Sequence, residues 1–173
     1  YGEFDLTRIM RVITPVDNGI AFKIQGMHAV EDYIVSRYQM YMQVYFHPAS
    51  RAMEVLLHQL LKRAKVLYPK QKDYFELTSP RLVPFFEHNY TLSYYLHLDD
   101  VVMTTYFQNW QTHPDEILSD LSNAFINRKL AKSIKYDSAD EKDLDILRQI
   151  IEKIGFDTDY YTAVHSNFDL PYD

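Results

Sequence analysis

Apolar residues recur at spacings of three and four along much of the chain, the signature of helices with one buried face. The longest such stretch runs from Ile24 to Pro48, IQGMHAVEDYIVSRYQMYMQVYFHP. Met27, Val30, Tyr33, Ile34, Tyr41, Val44 and Tyr45 share a stripe there. The spacing predicts an amphipathic helix of roughly 20 residues, about 30 Å long. Pro48 breaks it, and a second helix begins near Ala49 with Met53, Leu56, Leu57, Leu60, Leu61 and Ala64 facing inward. Asp99 or Asp100 caps a third, carrying Val101, Val102, Thr105, Tyr106 and Trp110. A fourth opens at His113-Pro114-Asp115-Glu116 with Pro114 in its first turn, and buries Ile117, Leu118, Leu121, Ala124, Phe125 and Ile126. Leu144 to Ile154 is a fifth, closed by Gly155.

Strand signals are few. Ile20 to Gln25 alternates and follows an Asp17-Asn18-Gly19 turn, so it pairs as a hairpin with Val12 to Val16. Tyr1 to Ile13 is loosely helical before it, and Pro15 ends that pattern. Leu130 to Tyr136 alternates enough to read as a strand. Tyr68 to Lys72 reads as a loop, and Leu77 to Phe86 is broken by two prolines. The tail, Phe156 to Asp173, reads as irregular and docked through Tyr160, Tyr161 and Phe168. The expected fold is mainly α: a helical, bundle-like region covering residues 1–173, with one small hairpin and a sub-boundary near residues 68–80.

One residue of the long helix breaks the pattern. Arg37, Tyr41 and Tyr45 stand at i, i+4 and i+8, on one face. Burying a bare guanidinium is costly, so Arg37 needs either a carboxylate elsewhere in the fold or an anion brought from outside.

Composition narrows the function classes. At 173 residues the chain suits one domain with a sizeable core. With no cysteine it has no disulfide, no thiolate metal site and no cysteine nucleophile. Four glycines disfavour Gly-rich phosphate loops, and neither Gly-x-Ser-x-Gly nor a P-loop occurs. A formal charge of −6 argues against non-specific nucleic-acid binding. No apolar run approaches a membrane span and no signal pattern occurs, so a soluble, cytoplasmic protein is expected. The seven histidines form neither a His-x-x-x-His pair nor a His-Asp dipeptide. Asp99-Asp100 is accounted for as a helix cap, and Glu31-Asp32 as a solvated pair. No metal site is expected in this chain. Its cations are better suited to anions: Arg37 among aromatics, Arg128, Lys129 and Lys132 after the fourth helix, Arg8 and Arg11 in the first, and Lys23 on the strand.

YGEFDLTRIMRV, EDYIVSRYQMYMQVYFHP, INRKLAKSI and the tail GFDTDYYTAVHSNFDLPYD together resemble the HD-domain deoxynucleoside triphosphate triphosphohydrolases, and within them the bacterial HD-superfamily phosphohydrolases of Gram-positive organisms. The resemblance covers most of the chain in patches and is most specific over Arg37 to His47. It implies a piece of a longer enzyme that follows the metal-binding core. The family's His, His-Asp and Asp ligands do not occur in this sequence. In the intact enzyme a divalent metal, Mn²⁺ or Mg²⁺, would assist attack of water on the α-phosphate of a dNTP. Among the residues here, the resemblance gives Arg37 to the substrate phosphates and Tyr45 to the deoxyribose. Tyr41 stands where animal relatives carry an active-site histidine, and its role stays open. Arg128 and Lys132 match cations on an activating nucleotide, with Arg8, Lys23 and His47 near a second effector of the dGTP type. Such effector sites lie between subunits, which implies a homo-oligomer, a tetramer or dimer. Two other readings stay open: a non-catalytic nucleotide-binding or assembly module, and an HD phosphohydrolase of another phosphoester.

Overall fold

Asp5 starts the first ordered element. Its carboxylate accepts the Arg8 backbone N–H at 2.9 Å and caps α1 (Leu6–Val12), which buries Ile9 and Val12. A computed structural model describes residues 4–134 and 141–164 of the chain. Among these residues it is mainly helical, with ten α-helices and one two-stranded antiparallel sheet. The described residues divide into two units, one ending at Arg51 and the other beginning at Ala52.

In the first unit α1 runs into β1 (Ile13–Val16), which pairs with β2 (Gly19–Phe22) in the register Ile13↔Phe22 to Val16↔Gly19. Asp17 and Asn18 make the turn, as their short polar side chains favour. A 3₁₀ turn at Ile24–Gly26 then leads into α2 (Met27–Met40). Gly26 is buried here, and a Cβ on it would overlap the Val12 side chain, so the close approach of the turn to α1 requires glycine. The helix continues as a π turn, Tyr41–Tyr45, in which the Phe46 N–H donates to the Tyr41 carbonyl five residues back at 2.8 Å.

The long helix therefore exists, but it is not uniform and its buried face differs from the expected stripe. Ala29 and Ser36 are the buried residues of α2, while Met27, Tyr33, Ile34, Val44 and Tyr45 are exposed. Small residues let the helix approach its neighbours closely, and this leaves the larger aromatic and aliphatic side chains at the periphery.

The second unit holds the main core. α3 (Pro48–Leu67) carries Leu60 and Ala64 into it, both fully buried. Next come α4 (Lys72–Thr78), α5 (Val83–Phe86), α6 (Leu92–Leu96), α7 (Asp100–Trp110) and α8 (Glu116–Ile126), then α9 (Glu141–Lys153) and α10 (Thr158–Tyr161). Phe75, Phe107, Trp110 and Leu118 close the centre. α4 begins at Lys72, the end of the segment read as loop, and ends inside the stretch read as broken, across residues 73–76 that the pattern left unassigned; α10 adds a short helix to the tail. No strand forms over residues 130–134, because the end of α8 turns into coil with no partner edge beside it; Lys135 and Tyr136 lie outside the described residues. Phe168 also lies outside them. Tyr160 is buried, and the Tyr161 hydroxyl donates to Asp120 at 2.8 Å, so both dock the tail as expected. Gly155 closes α9 with φ +95°, its N–H bonded to the Glu152 carbonyl and the next N–H to that of Ile151.

Asp99 caps α7 through the Val102 N–H at 2.8 Å. At α8 the cap is Asp115, so Pro114 stands one residue before the helix rather than in its first turn. The shift has a reason: one carboxylate here does two jobs. It accepts the Leu118 N–H at 2.9 Å and both Nε and Nη2 of Arg63 from α3. This bidentate pair holds the Asp115 carboxyl below its usual range.

His113 sits beside it, only 4% exposed. Its Nδ1 accepts the Asp115 N–H at 2.9 Å, which leaves the proton on Nε2 to donate to Gln71 Oε1 at 2.7 Å. Burial, with some help from the Arg63 charge, lowers its pKa, and Asp115 opposes this more weakly. The folded state thus holds His113 neutral, whereas the unfolded state takes up a proton near pH 6.5. Its contribution to stability should be fully present above that pH and lost as the pH falls toward the depressed folded value. Urea midpoints measured between about pH 7 and pH 5 should fall with acidity. In His113→Asn, which keeps an acceptor for the Asp115 N–H, that slope should flatten.

Candidate functional site

Two predicted site residues of the first unit, Arg37 and Tyr41, share one cleft. Tyr33, Ser36, Arg37, Met40 and Tyr41, with Phe4 from the segment before α1, line a half-open cleft of about 290 Å³. Arg37 donates from Nη2 to the Tyr41 hydroxyl at 3.5 Å, and its guanidinium carbon stands 5.5 Å from the centre of that ring. The Tyr41 hydrogen bond, with the Tyr33 phenol acting in the same direction, raises the Arg37 pKa above its ordinary value. Arg37 is exposed, and among the described residues no carboxylate forms an ion pair with it. The partner it meets is phenolic, not anionic. Arg37 itself lines the cleft, and a guanidinium carries further N–H donors besides the one given to Tyr41.

The aromatic row continues past the cleft. Tyr45 packs on Tyr41 with ring centres 5.1 Å apart, and Phe46 stands 5.9 Å from Tyr41. Arg51 lies over the Phe46 ring at 4.9 Å. Tyr45 is 55% exposed and does not line the cleft. Tyr45 lies at the C-terminal end of the π turn and keeps its ring contact with Tyr41.

The other predicted cations are dispersed. Arg8 donates to the Gln25 carbonyl at 3.2 Å, and Lys23 is exposed after β2. The His47 Nδ1 accepts the Ala49 N–H at 3.2 Å, which binds the ring to the start of α3. None of these three lines the cleft. In the second unit Arg128 follows α8 in a left-handed conformation with φ 53°, and Lys132 is exposed in the coil beyond. Among the described residues no group of three or more His, Asp or Glu could hold a metal ion, so the residues present do not fit the divalent metal that the resemblance implies. No helix among them is long and apolar enough to cross a membrane.

Reasoning from sequence did not select Phe4, Tyr33, Ser36 and Met40. Tyr33 carried a usable signal, since it precedes Arg37 by one helical turn just as Tyr41 follows it. Phe4 carried none, because its place depends on how α1 meets α2. Its ring stands edge-on to Tyr33, centres 5.0 Å apart at 74°.

Known proteins match most of this chain. The model of the family described as "HD associated region" matches residues 4–157. YwfO, an uncharacterized protein of Bacillus subtilis, is 45% identical over 175 residues, which is 100% of this chain and 40% of that protein. An uncharacterized protein of Mycoplasma pneumoniae is 27% identical over 138 residues, covering 75% of this chain and 32% of its own length. A phosphohydrolase from Bacteroides thetaiotaomicron, solved as a crystal structure, is similar with a TM-score of 0.68 and 28% identity over 90% of this chain and 42% of its own. The chain spans well under half the length of each of these relatives.

Proposed function

The chain belongs to the HD associated region family, and on that membership we propose that it forms part of an HD-type phosphohydrolase acting on deoxynucleoside triphosphates. In this reading it follows the metal-binding core and supplies one wall of the substrate pocket. The single observation that carries it is Arg37, an exposed guanidinium set among phenols in an aromatic-lined cleft, with no carboxylate pairing it among the described residues. An arginine fork suits phosphate oxygens, and aromatic faces suit a flat base or sugar. The phosphohydrolase from Bacteroides supports the phosphoester class.

The residues of this chain would bind and orient. Arg37 would take two oxygens of the phosphate chain. Tyr41 would hold the guanidinium plane and offer its own hydroxyl proton. Tyr45, one step along the row, would flank the sugar. Arg8, Lys23, His47, Arg128 and Lys132 would serve effector nucleotides of the dGTP type in an oligomeric assembly. No chemical step through a metal is assigned to these residues, because the metal would belong to another part of the intact protein.

The test is release of inorganic triphosphate by the intact gene product, with Mn²⁺ or Mg²⁺ and a panel of dNTPs, with and without dGTP. Release from at least one dNTP is expected. No release under any condition would reject the assignment, and nucleotide binding without release would favour a non-catalytic module.

A further inference from the structure

Three phenol and guanidinium groups occupy successive turns of α2 and the π turn that continues it, and the proposed reading uses only two of them. Tyr33, Arg37 and Tyr41 stand at i, i+4 and i+8 and all line the same cleft. We propose that Tyr33 is a further anion-positioning residue, its hydroxyl joining Arg37 and Tyr41 around the oxygens of a phosphoryl group while Phe4 holds its ring in place. This rests on the reading of the cleft as a phosphate site.

A guanidinium only donates, whereas a phenol accepts from it and donates in turn. With one phenol a helical turn before Arg37 and another a turn after it, the fork is flanked on both sides along the helix. An arginine fork engages two oxygens of a phosphoryl group. The third oxygen then needs a separate donor, which a phenol O–H supplies. The Tyr33 ring makes an edge contact with Phe4, centres 5.0 Å apart, and the ring remains 39% exposed at the cleft mouth. That contact is made across the fold, not along the helix, so it fixes the Tyr33 rotamer independently of any ligand. Met40 and Phe4 give the lining an apolar part, which limits competing water and strengthens the polar contacts beside them. The ligand class is a phosphate or polyphosphate group with at least three accessible oxygens.

The experiment is a calorimetric titration of the intact gene product, without added divalent metal, with inorganic triphosphate at low ionic strength, alongside its thermal midpoint. Tyr33→Phe keeps the ring and should keep the midpoint while weakening binding about ten- to a hundredfold, the effect of one hydrogen bond to a charged group. Phe4→Ala should weaken binding to a similar degree, and Phe4→Trp should restore it. Tyr38→Phe, on the same helix but outside the cleft, should bind like wild type. Arg37→Ala should abolish binding. If Arg37→Ala abolishes binding and Tyr33→Phe does not weaken it, the role given to Tyr33 is overturned and the reading of the cleft stands. If wild type does not bind, or Arg37→Ala binds as well as wild type, the reading of the cleft fails and the role of Tyr33 fails with it.

Discussion

Replacing Arg37 by alanine is expected to lower turnover of the intact gene product by about two to three orders of magnitude, as the loss of one preorganised donor to developing charge does elsewhere. The urea midpoint of this chain should stay where it is. The two halves of that expectation have one cause. Arg37 is exposed and holds no carboxylate among the described residues, so the fold gains little from it. Its directed N–H groups are useful only when an anion arrives. Arg37→Lys separates charge from geometry: it keeps the charge and loses the fork, and should fall between wild type and alanine. A variant that lost its folding while its surviving fraction kept full specific activity would show instead that Arg37 is a structural cation.

Phe75→Ala should have the opposite signature. Phe75 is 0% exposed and meets five rings: Tyr68 at 6.2 Å, Tyr74 at 5.4 Å, Phe86 at 5.7 Å, Trp110 at 5.7 Å and His113 at 6.2 Å. Four of these five contacts are edge-on, an arrangement that a smaller side chain cannot reproduce. Truncation removes the ring and leaves a cavity whose walls are other rings, fixed from the 3₁₀ turn after α3, from α4, α5 and α7, and from the segment before α8. The expected loss is about 4 kcal/mol, near the middle of the range for buried Phe. Urea unfolding of this chain, followed by tryptophan fluorescence from Trp110, would measure it. A loss below about 1 kcal/mol would mean that α4 is not anchored in the core as described.

What the amino-acid pattern revealed, and what it hid, follows from how local each cause is. The cap of α7 was legible because Asp99 acts on an N–H group three residues on. The hairpin was legible because its turn residues and alternation are adjacent. α4 was not, because it has one fully buried residue, Phe75, between a 3₁₀ turn and Pro80, too few apolar positions to show a period. Pro114 lies before the cap instead of in the first turn because Arg63, 52 positions away, fixes where the cap carboxylate sits. In the cleft, Arg37 and Tyr41 came together as their spacing implied. Phe4 could not have been foreseen from spacing, since a contact from the segment before α1 to α2 has no periodic trace. The buried face of α2 was misread for a related reason: hydrophobicity marked the large residues, while close packing had chosen Ala29 and Ser36.

The π turn at Tyr41–Tyr45 acts on angular phase. An α-helix advances about 100° per residue, so one residue added or removed within that turn re-indexes everything after it by about that angle, without breaking the rod. Arg37 and Tyr41 keep their bearing, while Tyr45 and His47 swing as a group. The two ends of the aromatic row are therefore separable by length alone. A change of one residue at this spot can re-aim the distal aromatics relative to the guanidinium with every side chain intact. Point substitution, which alters identity but not phase, cannot do the same.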